Sequence, residues 1–400
     1  MKILYFGTIC DLTAYETLLQ NSRVKPSVAT IVFESALLDG FYKNGADVEV
    51  YSNPMVPNYR HSKLLYWGSK QEKLDCGYTC QWLKTWNLMF LKQLSRRMDG
   101  RKILKTWLEK NRGEDCVVLS YGISPFLTKD IISLCRKYGA KSCAIVPDLP
   151  RDMYMNSHGH PFKAWLRKQY LKPVLRRQGE YDCYVYLTEA MAEVIAPEKP
   201  YVVMEGILNT ASAAEEGQKT TPRGIMYAGG LNEKYGILNL LDAFEQADIP
   251  DAELWLFGDG NAVDVIRERE KMNPKIRLFG RRNREEVLAY EQKATLLVNP
   301  RSVEEEYTQY SFPSKTIEYM YSGTPLLTTK LPGIPEEYFG YVFTTEDNDV
   351  FLLTNALREI FSLPEEALAQ RGEAARCFVL HEKNSKVQAG KILDLLEKKV

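Results

Sequence analysis

The chain has 400 residues, 45% of them apolar and 26% charged, with 52 Lys+Arg against 52 Asp+Glu. That length exceeds one comfortable hydrophobic core and predicts two domains of roughly 150–200 residues. The balanced charge excludes a chain-wide polyanion binder, so no nucleic-acid partner is expected and any basic patch must be local.

The N-terminus MKILYFGTICDLTAY carries one lysine and a short apolar run to Gly7, without the apolar region and cleavage site of a signal peptide. No stretch approaches the ~18 apolar residues of a membrane span. A cytoplasmic location is expected. The eight cysteines are scattered, and Cys76 and Cys80 form the one close pair. Without a second pair or a neighbouring histidine they do not make a zinc site, and no metal is expected.

In chain order, KILYFG (2–7) reads as a strand, about Pro26 to Asn44 as a helix and DVEVYS as a second strand. CVVLSYG (116–122), KSCAIVPD (141–148), CYVYL (183–187) and YVVME (201–205) continue the strands, with helical stretches between them. The polar, small-residue segment 206–224 reads as a linker. GIMYAGG, AELWLFGDG, IRLFG, ATLLVNP and TPLLTT then form a second strand series, with helices such as 236–247 and 284–292 between. Such alternation predicts an α/β chain of two Rossmann-like, doubly wound domains facing a cleft. The expected division is 1–205, a linker 206–224, 225–380, and a C-terminal helix 381–400 that packs back on the first domain.

The strand ends of the second half share a pattern. YAGGLNEKYG places Gly229 and Gly230 after a strand and Lys234 before a helix, which suits close approach of an anion. A tight turn with a solvated lysine gives the same text. LFGDGN brings Gly258, LFGRR brings Gly280 with Arg281, and NPRSVEEEY brings Arg301. Together they mark one rim of a phosphate- and nucleotide-sized pocket. SFPSKTIEYMYSGTPLL adds a helix start with Ser314, Lys315 and Glu318 in its first turns. Glu318 there suits a vicinal diol and Lys315 a phosphate, although an i,i+3 ion pair favoured by the helix dipole fits equally.

The stretch NPRSVEEEYTQYSFPSKTIEYMYSGTPLLTTKLPGIPEEY resembles the donor-site signature of family 4 glycosyltransferases, which have the two-domain GT-B fold. YAGGLNEKYGILNLLDAFE, ELWLFGDGN and IRLFGRRNREEVLAYEQKATLLVNPR follow in that family's order and spacing, so the resemblance covers 223 to about 345. It implies a retaining glycosyltransferase of the hexosyl or a related class. Such an enzyme moves a sugar from a nucleotide-diphosphate donor, UDP-sugar favoured over GDP-sugar, to a saccharide or lipid-linked saccharide. Cell-surface polysaccharide or glycolipid assembly is the implied setting, and no cofactor is implied.

The resemblance also assigns residues. Glu318 would be the second glutamate of the E-x7-E element and bind the ribose. The loop Ser311, Phe312, Pro313, Ser314 and Lys315 would support the sugar and distal phosphate. Lys234 would contact the diphosphate, and the Gly280 turn would hold the base. Lys234 and Lys315, with helix N-termini, would stabilise the departing diphosphate. Two positions depart from the pattern: Tyr310 stands where the first glutamate belongs, four residues after Glu306, and Gly230 where an arginine is common. The family lysine is also one place early, at Lys234, with Tyr235 following. Two other readings therefore remain: a nucleotide-sugar 2-epimerase on the same fold, and a non-catalytic glycosyltransferase-like subunit.

Asp347–Asn348–Asp349 spells D-x-D but precedes VFLLTNALREIF, so a helix N-cap is expected rather than a metal site. His158 and His160 have no ligand-spaced partner and stay unassigned. Asp148 ends a first-domain strand where family members keep an acceptor-side polar residue, and a turn-initiating aspartate reads the same. Segments 83–110 and 160–177 are basic and aromatic, and read either as surface helices that bury their apolar sides or as docking segments whose partner is an anionic membrane surface, on the inner face of the cell membrane.

Overall fold

Runs of Val, Ile, Leu and Cys too short for helices form strands buried on both faces, as parallel sheets require. The computed structural model describes residues 1–23, 29–57, 59–88, 91–151, 161–208, 219 and 222–398. The chain divides into two units, Met1–Asn209 with Ser385–Val400, and Thr210–Asn384.

In chain order the first unit contains β1 (Lys2–Gly7), α1 (Leu12–Gln20), α2 (Ala29–Lys43), β2 (Asp47–Ser52), β3 (Tyr66–Trp67), β4 (Gln71–Lys73), β5 (Thr79–Trp82) and β6 (Thr85–Trp86). These are followed by α3 (Leu91–Lys110), β7 (Cys116–Tyr121), α4 (Thr128–Tyr138), β8 (Lys141–Val146), α5 (Pro161–Arg177), β9 (Cys183–Tyr186), α6 (Glu189–Ile195) and β10 (Tyr201–Val203). One sheet runs β10-β9-β8-β7-β1-β2-β5-β4, and β3 and β6 make a separate antiparallel ribbon. The large sheet is parallel except where β4 meets β5. Ile3, Tyr5, Val117, Leu119, Cys143, Ile145, Cys183 and Val185 fill its core.

The second unit contains β11 (Arg223–Gly230), α7 (Ile237–Ala247), β12 (Ala252–Asp259), α8 (Val263–Met272), β13 (Ile276–Gly280), α9 (Arg284–Lys293) and β14 (Leu296–Asn299). It continues with α10 (Lys315–Tyr321), β15 (Leu326–Thr329), β16 (Phe343–Thr345), α11 (Val350–Ser362) and α12 (Glu365–Glu382). Its sheet is β13-β12-β11-β14-β15-β16, parallel throughout. Numbered from β11, that order is 3-2-1-4-5-6, the doubly wound dinucleotide-binding arrangement. The last helix, α13 (Ser385–Glu397), belongs to the first unit, where Ala389, Ile392, Leu395 and Leu396 join the core.

Several boundaries differ from the sequence reading. β11 begins at Arg223, inside the expected linker, because Arg223 N donates to Asp251 O and its side chain pairs with Asp251. Most of 206–224 lies outside the described residues. β10 stops at Val203, and the division near the C-terminus falls at Ser385 rather than 381, since α12 runs on to Glu382. Segment 83–110 is not one helix: Thr85–Trp86 pair with Tyr66–Trp67, and the helix starts at Leu91. Among the described residues no helix is long and apolar enough to cross a membrane.

Candidate functional site

β11 and β14 lie side by side where the strand order of the second unit reverses, the place where ligands gather beyond the strand ends. There Gly229 and Gly230 pair with Gly258 and Asp259 of β12. A Cβ on Gly258, whose φ is +134°, would stand 1.8 Å from the Gly229 carbonyl oxygen. Gly236, at φ +77°, lets the start of α7 touch the end of β14, for a Cβ there would lie 1.7 Å from the Pro300 carbonyl oxygen. The glycines thus add no side chain of their own to this edge, against which the Tyr227 and Tyr235 side chains stand, 2.9 and 3.0 Å from where a Cβ on Gly229 or Gly230 would lie.

Two cations flank it. Exposed Lys234 sits in the short turn Glu233–Tyr235, with Nζ 5.2 Å from the Tyr235 ring centre and 5.6 Å from that of Tyr307. Arg301, two residues past β14, lays its guanidinium 4.9 Å from the Tyr235 ring. Among the described residues, Arg301 Nε and Tyr307 Oη are buried with no hydrogen-bond partner. Two unfilled donors beside a cation suit an oxygen-rich anion, because a buried donor left unpaired costs ~1–3 kcal/mol. Burial pushes the Tyr307 phenol up to about 12, against the pull of Arg301.

The start of α10 forms the second cluster. Lys315 Nζ bonds Glu318 Oε1 and reaches Glu291 Oε1 at 3.4 Å, while Arg284 Nη2 meets Glu318 Oε2 at 3.3 Å. Burial opposes the Lys315 ammonium, but Glu291 and Glu318 outweigh it and hold its pKa above the usual lysine value. Burial likewise opposes the Glu318 carboxylate, and Lys315 with Arg284 outweigh that, so its pKa lies low. Glu291 on α9 is fully buried, and burial pushes it up to about 8 despite Lys315. One residue beyond Glu318, Tyr319 Oη accepts from Ala228 N (2.8 Å) and donates to Ala228 O (3.1 Å). This pins α10 to the end of β11, so both clusters border one edge of the sheet.

The remaining expected residues are more dispersed. Ser314 is exposed at the N-cap position of α10 and makes no side-chain cap bond. Phe312 is buried against Tyr338 at 5.5 Å, Pro313 is buried, and Ser311 is half-buried. Tyr310 follows the short turn Glu306–Gln309, its amide donating to Tyr307 O, and Glu306 is exposed. Gly280 has φ +67° and open space around it, and exposed Arg281 pairs with Asp259 at 3.2 Å. Asp349 caps α11 through Phe351 N and Leu352 N, whereas Asp347 accepts from Ser302 Oγ and Val303 N. The two aspartates therefore serve separate loops. Among the described residues no group of three or more His, Cys, Asp or Glu is placed to hold a metal.

The residues that sequence reading missed are Glu291, Arg284, Tyr307 and Tyr319. Glu291 carried a signal: it follows buried Leu288 by three positions and so shares the helix face turned to the sheet, where an acid is unusual.

The first unit has its own reversal, between β1 and β7, with a cavity of about 190 Å³ lined by Gly7, Thr8, Asn53, Gln93, Arg96 and Ser120 among others. Under its floor fully buried Glu34 accepts from Tyr5 Oη (2.7 Å), Thr8 N (2.9 Å) and Thr8 Oγ1, and burial pushes its pKa up to about 7. Asp148 is exposed just after β8. His158 and His160 lie outside the described residues.

Residues 222–362 match the family described as Glycosyl transferases group 1. No curated protein sequence matches the chain. Among solved structures it resembles sucrose-phosphate synthase from Thermosynechococcus elongatus, at 15% identity over 99% of this chain and 98% of that one, with a TM-score of 0.64. A UDP-forming α,α-trehalose-phosphate synthase from Burkholderia xenovorans is similar over the whole of both chains, at 11% identity and a TM-score of 0.61. The lipopolysaccharide outer core galactosyltransferase WaaB is similar over 99% of both, at 13% identity and a TM-score of 0.57. The chain has the GT-B fold of two Rossmann-like units, and the family match falls within the second.

Proposed function

We propose that the chain is a glycosyltransferase that takes a sugar from a nucleotide-diphosphate donor, a UDP-sugar, and delivers it to a saccharide or lipid-linked saccharide. The observation that carries this reading is the edge built by Gly229, Gly230 and Gly258 with Arg301, Lys234 and Glu318 beside it, inside the stretch that matches glycosyl transferases group 1. The diphosphate lies on the glycine edge, where Arg301 Nε and the Tyr307 hydroxyl find their acceptor and Lys234 supplies a second charge. Glu318 exchanges its Arg284 contact for the ribose diol. As the glycosidic bond breaks, charge grows on the leaving diphosphate, and fixed donors favour that state over the ground state. These cations carry the charge without a metal, and the product keeps the donor's anomeric configuration. UDP is favoured because a similar fold is named UDP-forming, and a cell-surface saccharide because another is a lipopolysaccharide galactosyltransferase. The proposed setting is the cytoplasm, peripheral on the inner membrane face.

One feature favours a second reading, a binder without turnover: Tyr310 and Gly230 occupy the positions of a glutamate and an arginine in the resembled pattern. Calorimetric titration with UDP and GDP in EDTA tests both. Wild type is expected to bind UDP without metal, and Glu318→Ala to weaken it ~10-fold or more. Absence of binding by wild type overturns both readings. Binding without sugar transfer or donor hydrolysis leaves the second.

A further inference from the structure

We propose that the β3–β6 ribbon and the start of α3 form a docking surface for an anionic lipid bilayer. The ribbon pairs apart from the parallel sheet and is anchored on it by buried Trp67, its ring centre 6.3 Å from that of Trp82. On it Tyr66 pairs with Trp86, their ring centres 4.6 Å apart. Asn87 N donates to Leu65 O, and Trp86 N donates to Ser95 Oγ at 3.0 Å, which seats the ribbon on α3. Leu91, Leu94 and Met98 follow at i, i+3 and i+7, and so share one helix face with Ser95.

Leu65, Tyr66, Trp86, Leu91, Leu94 and Met98 are each 43–65% exposed. Single exposed apolar side chains are ordinary, but six that are joined through one ribbon and one helix face mark an interaction surface. The choice of a bilayer rests on charge. Of the cations near the crest, Lys92 is turned to the Val56 carbonyl, Arg96 is buried and Arg97 pairs with Asp130, while Asp99, next to Met98, accepts from Lys84 N and Glu72 pairs with Lys70. Arg60, Lys63, Lys70 and Lys84 are exposed. An apolar crest with Trp and Tyr rings, with these exposed cations around it, matches acyl chains below a layer of anionic headgroups.

This surface differs from the one read in the sequence: it includes 60–66, ends at Met98, and does not involve 160–177. It is also independent of the chemistry proposed for the second unit.

The test is co-sedimentation of the full chain with phosphatidylcholine vesicles and with equimolar phosphatidylcholine–phosphatidylglycerol vesicles. Wild type is expected to bind the anionic vesicles ~10-fold or more above the neutral ones, and less in high salt. Leu94→Glu/Met98→Glu and Lys63→Glu/Lys84→Glu are each expected to lose ~10-fold or more, with wild-type melting temperature and UDP binding. If the glutamate pair fails to fold, Leu94→Ala/Met98→Ala gives the same readout at smaller amplitude. Equal sedimentation of wild type and variants, or equal binding to neutral and anionic vesicles, overturns the proposal. So does a dimer in light scattering that the Leu94/Met98 variant dissociates while wild type ignores vesicles, because the patch then serves a second copy.

Discussion

The two sheets reverse strand order at comparable places, yet their first strand-to-helix turns have opposite electrostatics. After β11 the turn is glycine, closed by the neutral side chains of Asn232 and Asn261, with Lys234 and Arg301 beside it. After β1 the backbone of Thr8 points inward at Glu34, whose two carboxylate oxygens take the Thr8 amide, the Thr8 hydroxyl and the Tyr5 hydroxyl. The first unit thus fills the acceptor position of its turn with its own carboxyl group. The second leaves buried donors on Arg301 and Tyr307 unfilled. At Thr8 the donors are met from within, whereas those on Arg301 and Tyr307 meet no acceptor among the described residues, which suits the anion proposed there.

The largest expected effect breaks the glycine edge. Gly258→Ala sets a methyl group 1.8 Å from the Gly229 carbonyl oxygen at a φ of +134°. It should cost at least ~3 kcal/mol in urea denaturation. Gly280→Ala, at φ +67° in open space, meets only the left-handed backbone penalty of ~1–2 kcal/mol. Equal costs would show that the close approach of β11 and β12 does not constrain the edge.

Next comes an exchange of roles between the two turns. Glu34→Ala strands Thr8 N and the Tyr5 hydroxyl in a buried site, at a cost of ~3 kcal/mol of stability, and leaves UDP affinity within ~3-fold of wild type. Arg301→Ala, losing a charge-assisted bond to the diphosphate, should lower UDP affinity ~10-fold or more and change stability by under ~1 kcal/mol. Denaturation paired with calorimetry on both variants checks the contrast. A stability loss confined to Arg301→Ala would reverse the assignment of the two turns.

The sheets were legible because their signal is local. CVVLSYG, CYVYL and AELWLFGDG are apolar runs bounded by turn residues, and the structure forms strands over each. The glycine edge and the Lys315–Glu318 pair were legible for the same reason. Glu34 and Arg284 were not. Glu34 acts on Thr8 from 26 residues away, and Arg284 reaches Glu318 across 34. Neither spacing leaves a mark in composition or periodicity. The β3–β6 ribbon escaped because strands of two residues are too short for alternation to register.

The subtlest test uses pH, because both reversals carry a buried acid. Glu34 is pushed up to about 7 and Glu291 to about 8, in each case chiefly by burial. In the unfolded chain such groups titrate near ~4.3. Between that value and the folded pKa the native state holds protons that the unfolded state has released. Their stabilising contribution is therefore complete below about 4.3 and lost as pH rises through about 7 and about 8. Glu318, held low by Lys315 and Arg284, contributes in the opposite sense, but only as pH falls below its unfolded value, outside this window. Stability should consequently fall from pH 5 to pH 7, by at most ~1.4 kcal/mol per pH unit for each acid, while above that Lys92 and Lys219, pushed down by burial to about 7 and about 8, contribute in the opposite sense. Glu291→Gln keeps an acceptor for Lys315 and removes the titration, so the slope between pH 7 and 8 should become more positive than in wild type, because Lys92 and Lys219 then act unopposed by Glu291, while a fall below pH 7, set also by Glu34, persists. Denaturation of wild type and Glu291→Gln across this range measures both slopes. An unchanged slope above pH 7 would mean that Glu291 is already ionised there, with Lys315 stabilising its charge more strongly than burial opposes it.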